Sequence, residues 1–289
     1  MRVHDAGLAG RWYSRDPDQL RAEVEKFLGQ VRRRMGERPQ AIVVPHAGYM
    51  YSGKAAAHAY AQVRGQSFRR VLVLAPSHYT SFRGAVTLGW DAFRTPLGLV
   101  AIDSDSVANL RGRALVAEDP APFGPEHSLE IQLPFLQVVL PGVPVVPVLI
   151  GFLSRDDVVR LAASLQPWYE AETLIVVSSD FTHYGARFDY LPFAPHDAAS
   201  VRARLHELDG GALAALCAGD VDALDCYIER TGTTICGRYP LLAFLGLHRR
   251  RSEGQLLCYY TSLDVTGDYE HVVSYAAVAF PQALPRNHE

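Results

Sequence analysis

Three short apolar runs in this chain end in the same way, and that shared ending constrains it more than any other feature. Ala41-Ile42-Val43-Val44 leads through Pro45 into His46, and Val71-Leu72-Val73-Leu74 leads into Pro76-Ser77-His78. Leu174-Ile175-Val176-Val177 leads into Ser178-Ser179-Asp180-Phe181-Thr182-His183. Unbroken apolar runs, without polar alternation, fit strands covered on both faces, as in a parallel sheet between layers of helices. In open α/β sheets ligand sites form in the loops beyond the carboxyl ends of the strands. His46, His78 and the Asp180/His183 pair all fall in such loops. One loop histidine is commonly just solvated, but three in equivalent places argue for a shared pocket.

The rest of the chain supports that frame. Helical periodicity covers Asp16–Arg34, with Leu20, Val24, Phe27, Leu28 and Val31 on one face, and a small-residue helix begins near Ser52-Gly53. Further helices are expected over Ser104–Leu110, Ser128–Val139, Ser154–Trp168, Ala198–Leu208, Ala212–Leu216, Val221–Arg230 and Tyr239–Leu247. Ala85–Leu88 and Val145–Ile150 read as strands, and Leu256–Asp264 with Val272–Phe280 as a late hairpin or neighbouring pair. The fold class is therefore α/β, with a mixed, mostly parallel central sheet flanked by helices. With no linker, low-complexity stretch or repeat, residues 1–289 read as a single domain.

A formal net charge of -3 gives no polyanion-binding signature, which argues against nucleic acid as a partner. Arg32-Arg33-Arg34 and Arg249-Arg250-Arg251 each follow an expected helix, where cations favour the C-terminal end of the dipole. No apolar run approaches the roughly 18 residues of a membrane span. The N-terminus lacks a signal-peptide stretch, and Cys217, Cys226, Cys236 and Cys258 form no CxxC pair. A cytoplasmic address is expected.

Imidazoles from separate strands suit Zn, Cu, Ni or Fe(II), and two of them with one anionic ligand leave coordination positions open for substrate. Asp180 and His183, three residues apart, read either as a source of that third ligand or as an acid–base pair. Cys236 lies directly before an apolar helix. Helix N–H groups there, with Arg238 nearby, would favour its thiolate, and a small buried hydrophobe at a tight turn is the competing reading. Tyr49, in the aromatic stretch His46–Gly53, could wrap a planar ligand or simply pack. Glu126 and His127 precede an expected helix start at Ser128 and could face the pocket or serve the helix dipole.

Seven motifs recur in order along nearly the whole chain. They are Ala9-Gly10-Arg11-Trp12-Tyr13, Pro45-His46-Ala47-Gly48-Tyr49, Ala75-Pro76-Ser77-His78, Glu126–Phe135, Ser178–Gly185, Cys236-Gly237-Arg238 and Tyr259-Tyr260-Thr261-Ser262. In these the sequence resembles the Memo family, the protein B component of the AmmeMemoRadiSam system. The resemblance implies a fold like the class III, LigB-type extradiol dioxygenases, which hold non-haem Fe(II) with two histidines and a carboxylate. It implies metal ligation by His46, His78 and Cys236, with cysteine in the carboxylate's place. Asp180 and His183 match the other pocket residues, His183 standing where the dioxygenases carry a catalytic acid/base. Family members often carry histidine after Cys-Gly-Arg, where this chain has Tyr239. A thiolate ligand favours Cu(I) or Zn more than a carboxylate does, while remaining compatible with Fe(II).

Three functions follow as expectations. The first is a metal-dependent redox enzyme, using iron or copper on a small aromatic substrate, with His183 moving protons. The second is a binding module whose cleft holds a peptide, phosphorylated or not, with Arg238 as the anion anchor. The third is an accessory role beside a radical-SAM protein and a small AMME-type partner domain. The chain has no CxxxCxxC motif, so the radical-SAM component would be another protein.

Overall fold

A computed structural model describes residues 1–282. In chain order its elements are β1 (Val3–Asp5), α1 (Pro17–Gly29), β2 (Pro39–Val44), α2 (Tyr49–Val63), β3 (Arg70–Pro76), β4 (Ala85–Thr87), β5 (Ala92–Thr95), β6 (Gly98–Ala101) and α3 (Ser104–Leu110). Then come β7 (Val116–Glu118), α4 (Leu133–Val139), β8 (Val145–Ile150), α5 (Arg155–Leu165), β9 (Thr173–Ser178) and β10 (His183–Tyr184). The chain continues with α6 (Ala198–Cys217), α7 (Val221–Thr231), α8 (Arg238–His248), β11 (Gln255–Thr261), α9 (Leu263–Thr266) and β12 (Val272–Pro281).

Strands β2, β9, β3 and β8 lie side by side in that order, all parallel. Every residue of β2, β8 and β9 is buried, and apart from Gln40, Thr173 and Ser178 their sequences are apolar, as burial on both faces requires. Around this parallel centre, β4 joins β8 antiparallel and β12 joins β2 antiparallel, giving the expected mixed sheet. The late strand pair forms as β11 and β12, antiparallel. Helices α1, α2 and α4 pack on one another, α8 packs on both α5 and α7, and α2 and α8 bring these groups onto the strands. Because β9 lies between β2 and β3, the loops carrying His46, Asp180/His183 and His78 leave three adjacent strand ends. No helix among the described residues is long and apolar enough to cross a membrane.

Three local expectations are corrected, and one sheet is unexpected. Helix α1 stops at Gly29 instead of Arg34, because the N–H groups of Arg34 and Met35 donate to the Gln62 side chain. Residues 198–217 form one helix where Asp209-Gly210-Gly211 suggested a break. Gly211 leaves room for the Tyr227 ring, which would lie 2.3 Å from an added Cβ, and that packing overrides the poor local propensity. Ser128 does not start a helix. Its hydroxyl donates to the Pro76 carbonyl at 2.8 Å and its own carbonyl accepts from Ser178 at 2.6 Å, tying two strand-end loops together. A separate sheet, β1-β5-β6, has strands of three or four residues, too short to leave a pattern.

Candidate metal centre

His46 leaves β2 after Pro45 and is buried. Its Nδ1 lies 2.9 Å from Ser178 Oγ. The Ser178 hydroxyl hydrogen is committed to the Ser128 carbonyl, so Ser178 accepts from both Gln132 Nε2 at 2.9 Å and His46. Gln132 is itself fixed, accepting from the Tyr60 hydroxyl and donating to the Pro45 carbonyl. His46 therefore carries its proton on Nδ1. Its Nε2 lone pair points at Cys236 Sγ, 3.1 Å away.

At His78 the same tautomer arises by different means. The Glu126 carboxylate accepts from His78 Nδ1 at 2.8 Å and from the His78 main-chain N–H at 2.6 Å, so in the neutral ring Nε2 is the nitrogen with the lone pair. Burial works against a charged Glu126. The His78 donors and the Ser128 N–H outweigh it and pull the carboxyl down to about 2. His127 stacks on His78 with ring centroids 4.5 Å apart, and its buried Nδ1 has no hydrogen-bond partner among the described residues. Burial, then His78, push its pKa down to about 4.

Cys236 sits just before α8 and accepts the Asp180 N–H at 3.2 Å. The expected stabilised thiolate is corrected here. Burial first and Asp180 second push the thiol pKa up, while Arg238 is paired elsewhere. Deprotonation would accompany metal binding rather than precede it. The donor atoms of His46, His78 and Cys236 all lie within 4.8 Å of one another. Two imidazole lone pairs and a sulfur at that spacing fit a first-row transition metal.

His183 Nδ1 donates to the Thr234 carbonyl at 3.0 Å, which leaves Nε2 free, and burial lowers its pKa. Asp180 Oδ1 accepts the His46 N–H at 2.7 Å. Burial raises its pKa to about 7 against the pull of that bond. A cavity of about 460 Å³ collects His46, His78, His127, Asp180, His183 and Cys236, with Trp12, Phe188, Val273 and Ala47 as its apolar walls.

A family model described as a Memo-like protein matches residues 4–279. The chain belongs to the Memo family. Similar proteins include the memo-1 homologue of Caenorhabditis elegans, 33% identical with 95% of this chain and 81% of that one covered. A MEMO1 family protein of Methanopyrus kandleri is also 33% identical, over 94% of this chain and 97% of its own length. Human MEMO1 is 32% identical over 82% and 81%. An uncharacterised Escherichia coli K12 protein of known structure shares the fold, with a TM-score of 0.54 at 14% identity, covering 84% of this chain and 99% of that one.

Not every expected pocket residue of this Memo-family chain reaches the cleft. Tyr49 is buried, donates to the Ile131 carbonyl and packs on Tyr13 and Phe135, so it belongs to the core. Arg238 turns to Asp225 and Glu229, with contacts of 2.5 and 3.1 Å, because those acids lie beside it on α7. Tyr239 packs edge-on against Phe152, 5.4 Å between centroids, outside the cavity. Glu126 acts through His78, and His127 lines the cavity as expected. Trp12, Phe188 and Thr234 were not anticipated. Trp12 lies 4.5 Å from His127, held because buried Glu130 accepts from Gly7 N, Leu8 N and Tyr13 Oη.

Proposed function

We propose that His46, His78 and Cys236 hold iron or copper and that the chain is a metal-dependent redox enzyme acting on a small planar substrate. One observation carries this reading: both histidines are locked with Nδ1 protonated, so two lone pairs and the Cys236 sulfur converge. Zinc fits the same donors without the redox chemistry. A metal bound there would polarise a ligand in its open positions and exchange electrons with it.

The chain's own residues would do the rest. His183, uncharged near neutral pH and free at Nε2, would take a proton from a substrate hydroxyl and return it later. Asp180, poised near 7, would buffer that proton while its Oδ1 keeps the His46 loop in place. Trp12 and Phe188 would give a planar ring apolar contact surface and exclude water. An accessory role beside a radical-SAM protein and a small AMME-type domain is compatible with this centre, and co-purification of the three tests it.

The test is elemental analysis of protein purified without added metal, followed by anaerobic titration with Fe(II) and Cu(I). Tight binding of about one metal per chain is expected, lost in His78→Ala and Cys236→Ala. Protein that is metal-free and binds neither ion would overturn the proposal.

A second reading, a cleft for an anionic peptide, has one observation in its favour. A cavity of about 420 Å³ shares Trp12, Ala47, Phe188 and Val273 with the metal cleft and adds Arg11 and Arg187. These two arginines replace Arg238 as the candidate anchors. Calorimetry with phosphorylated peptides against Arg11→Ala and Arg187→Ala separates this reading from catalysis.

A further inference from the structure

Asp209 is a fully buried carboxylate in the middle of α6, and no cation pairs with it among the described residues. Burying a charge costs several kcal/mol unless hydrogen bonds replace the lost water, so what it binds is informative. Its Oδ1 accepts from the Thr182 N–H at 3.2 Å and the Thr182 hydroxyl at 2.6 Å, and its Oδ2 accepts from the Tyr259 hydroxyl at 2.7 Å. The partners of this carboxylate therefore come from the loop after β9, from β11 and, through the Ser274 hydroxyl, from β12.

The Thr182 bond sets a direction for the next one. With the Thr182 hydrogen committed to Asp209, the Thr233 hydroxyl must donate to Thr182, 2.7 Å away. The following residues of the same two loops are joined three times. His183 N–H donates to Thr234 Oγ1 at 2.8 Å, Thr234 Oγ1 donates to the His183 carbonyl at 2.8 Å, and His183 Nδ1 donates to the Thr234 carbonyl at 3.0 Å. Two residues further, Cys236 Sγ accepts the Asp180 N–H, and Gly237 N–H donates to Ser179 Oγ at 3.1 Å. The loop carrying Asp180 and His183 is thus zipped to the loop carrying Cys236, and Asp209 fixes the end of the zipper from a third element.

We propose that Asp209 is a positioning residue: it fixes the register of these two loops, and through them the tautomer of His183 and the place of Cys236 beside His46. Only the Cys236 half of the proposal rests on the metal reading above. The competing explanation is that Asp209 merely helps α6 adhere to the sheet. Leu213, buried on the same helix but absent from the zipper, provides the control.

The experiment uses the full chain with ¹⁵N-labelled histidine, comparing wild type with Asp209→Ala, Asp209→Asn, Thr182→Val and Leu213→Ala. Long-range ¹H–¹⁵N spectra of the metal-free protein report the His183 tautomer, and anaerobic Co(II) titration reports the metal site. In D209A and T182V, His183 should lose its single Nδ1–H state, and Co(II) affinity should fall about 10- to 100-fold. D209N keeps an oxygen for Thr182 and should restore most of both signals. L213A should lower the melting temperature while moving neither. The proposal is overturned if D209A and T182V keep the wild-type His183 signal, or if L213A shifts it equally. Should D209A fail to fold, the isosteric T182V decides. Should wild type bind no Co(II), the tautomer measurement alone decides the role of Asp209, and the Fe(II) and Cu(I) titrations above decide the metal reading.

Discussion

His46 and His78 leave neighbouring regions of one sheet edge with the same tautomer, yet their surroundings differ in charge. Around His46 the orienting partner is a neutral hydroxyl, Ser178, held by Gln132 and the Ser128 carbonyl. Around His78 it is the carboxylate of Glu126. An anion behind an imidazole makes its far nitrogen a stronger donor and favours the bound cation, whereas a hydroxyl only fixes the ring. The fold thus gives one ligand its geometry through a neutral relay and the other its geometry and added basicity through a charge.

The largest test of that difference is metal affinity. Glu126→Ala removes both orientation and charge and should weaken binding about 100-fold, and Glu126→Gln, which keeps one acceptor, about 10-fold. Ser178→Ala removes orientation without charge, so its loss should stay below that of E126A, at roughly 10-fold. Competition with a chelator of known affinity measures all three. Equal losses for E126A and S178A would show that charge contributes nothing and that ring orientation is the whole effect.

These partners also show what could be read in advance. The strand ends carrying His46, His78 and Asp180 were legible because doubly covered strands leave unbroken apolar runs. Cys236 needed more, since one thiol before a helix is equally a core residue, and the family resemblance supplied the difference. Ser128, Ser178 and Gln132 were not legible as a relay. Their hydrogen bonds join residues separated by about 50 positions, and no local pattern encodes such pairings. Trp12 and Phe188 lie in irregular segments without periodicity. Arg238 and Tyr49 misled because adjacency in sequence says nothing about which way a side chain turns.

The second test is pH, on chelator-treated protein. Glu126 is depressed from an ordinary 4.5 to about 2, so its stabilising contribution is complete above 4.5 and lost as pH falls through 2. Asp180, beside His46, is raised from 3.8 to about 7, so folding is penalised progressively as pH rises from 3.8 through 7. Each effect is on the order of 3–4 kcal/mol at full extent. In chemical denaturation, E126Q should be less stable than wild type at pH 7 and level with it near pH 2. Asp180→Asn should be more stable at pH 8 and level near pH 3. Shifts of the same sign in both variants would end the distinction between the two sides.

The smallest effect belongs to a residue outside the pair. Arg238 lies two positions from Cys236, and its charge would assist the thiolate if it were free. Instead it rests on Asp225 and Glu229, and Arg155 also approaches Asp225 at 3.4 Å. Removing it leaves Asp225 with a cation and changes little of the field at the sulfur. Arg238→Ala should therefore cost on the order of 1 kcal/mol of stability and leave metal affinity within about two-fold. Both values come from the same chelator competition and thermal melts. A ten-fold loss of affinity would mean that the helix start carries charge to Cys236. The charged support of the ligands would then extend from Glu126 to Arg238, leaving His46 as the ligand held by a neutral relay.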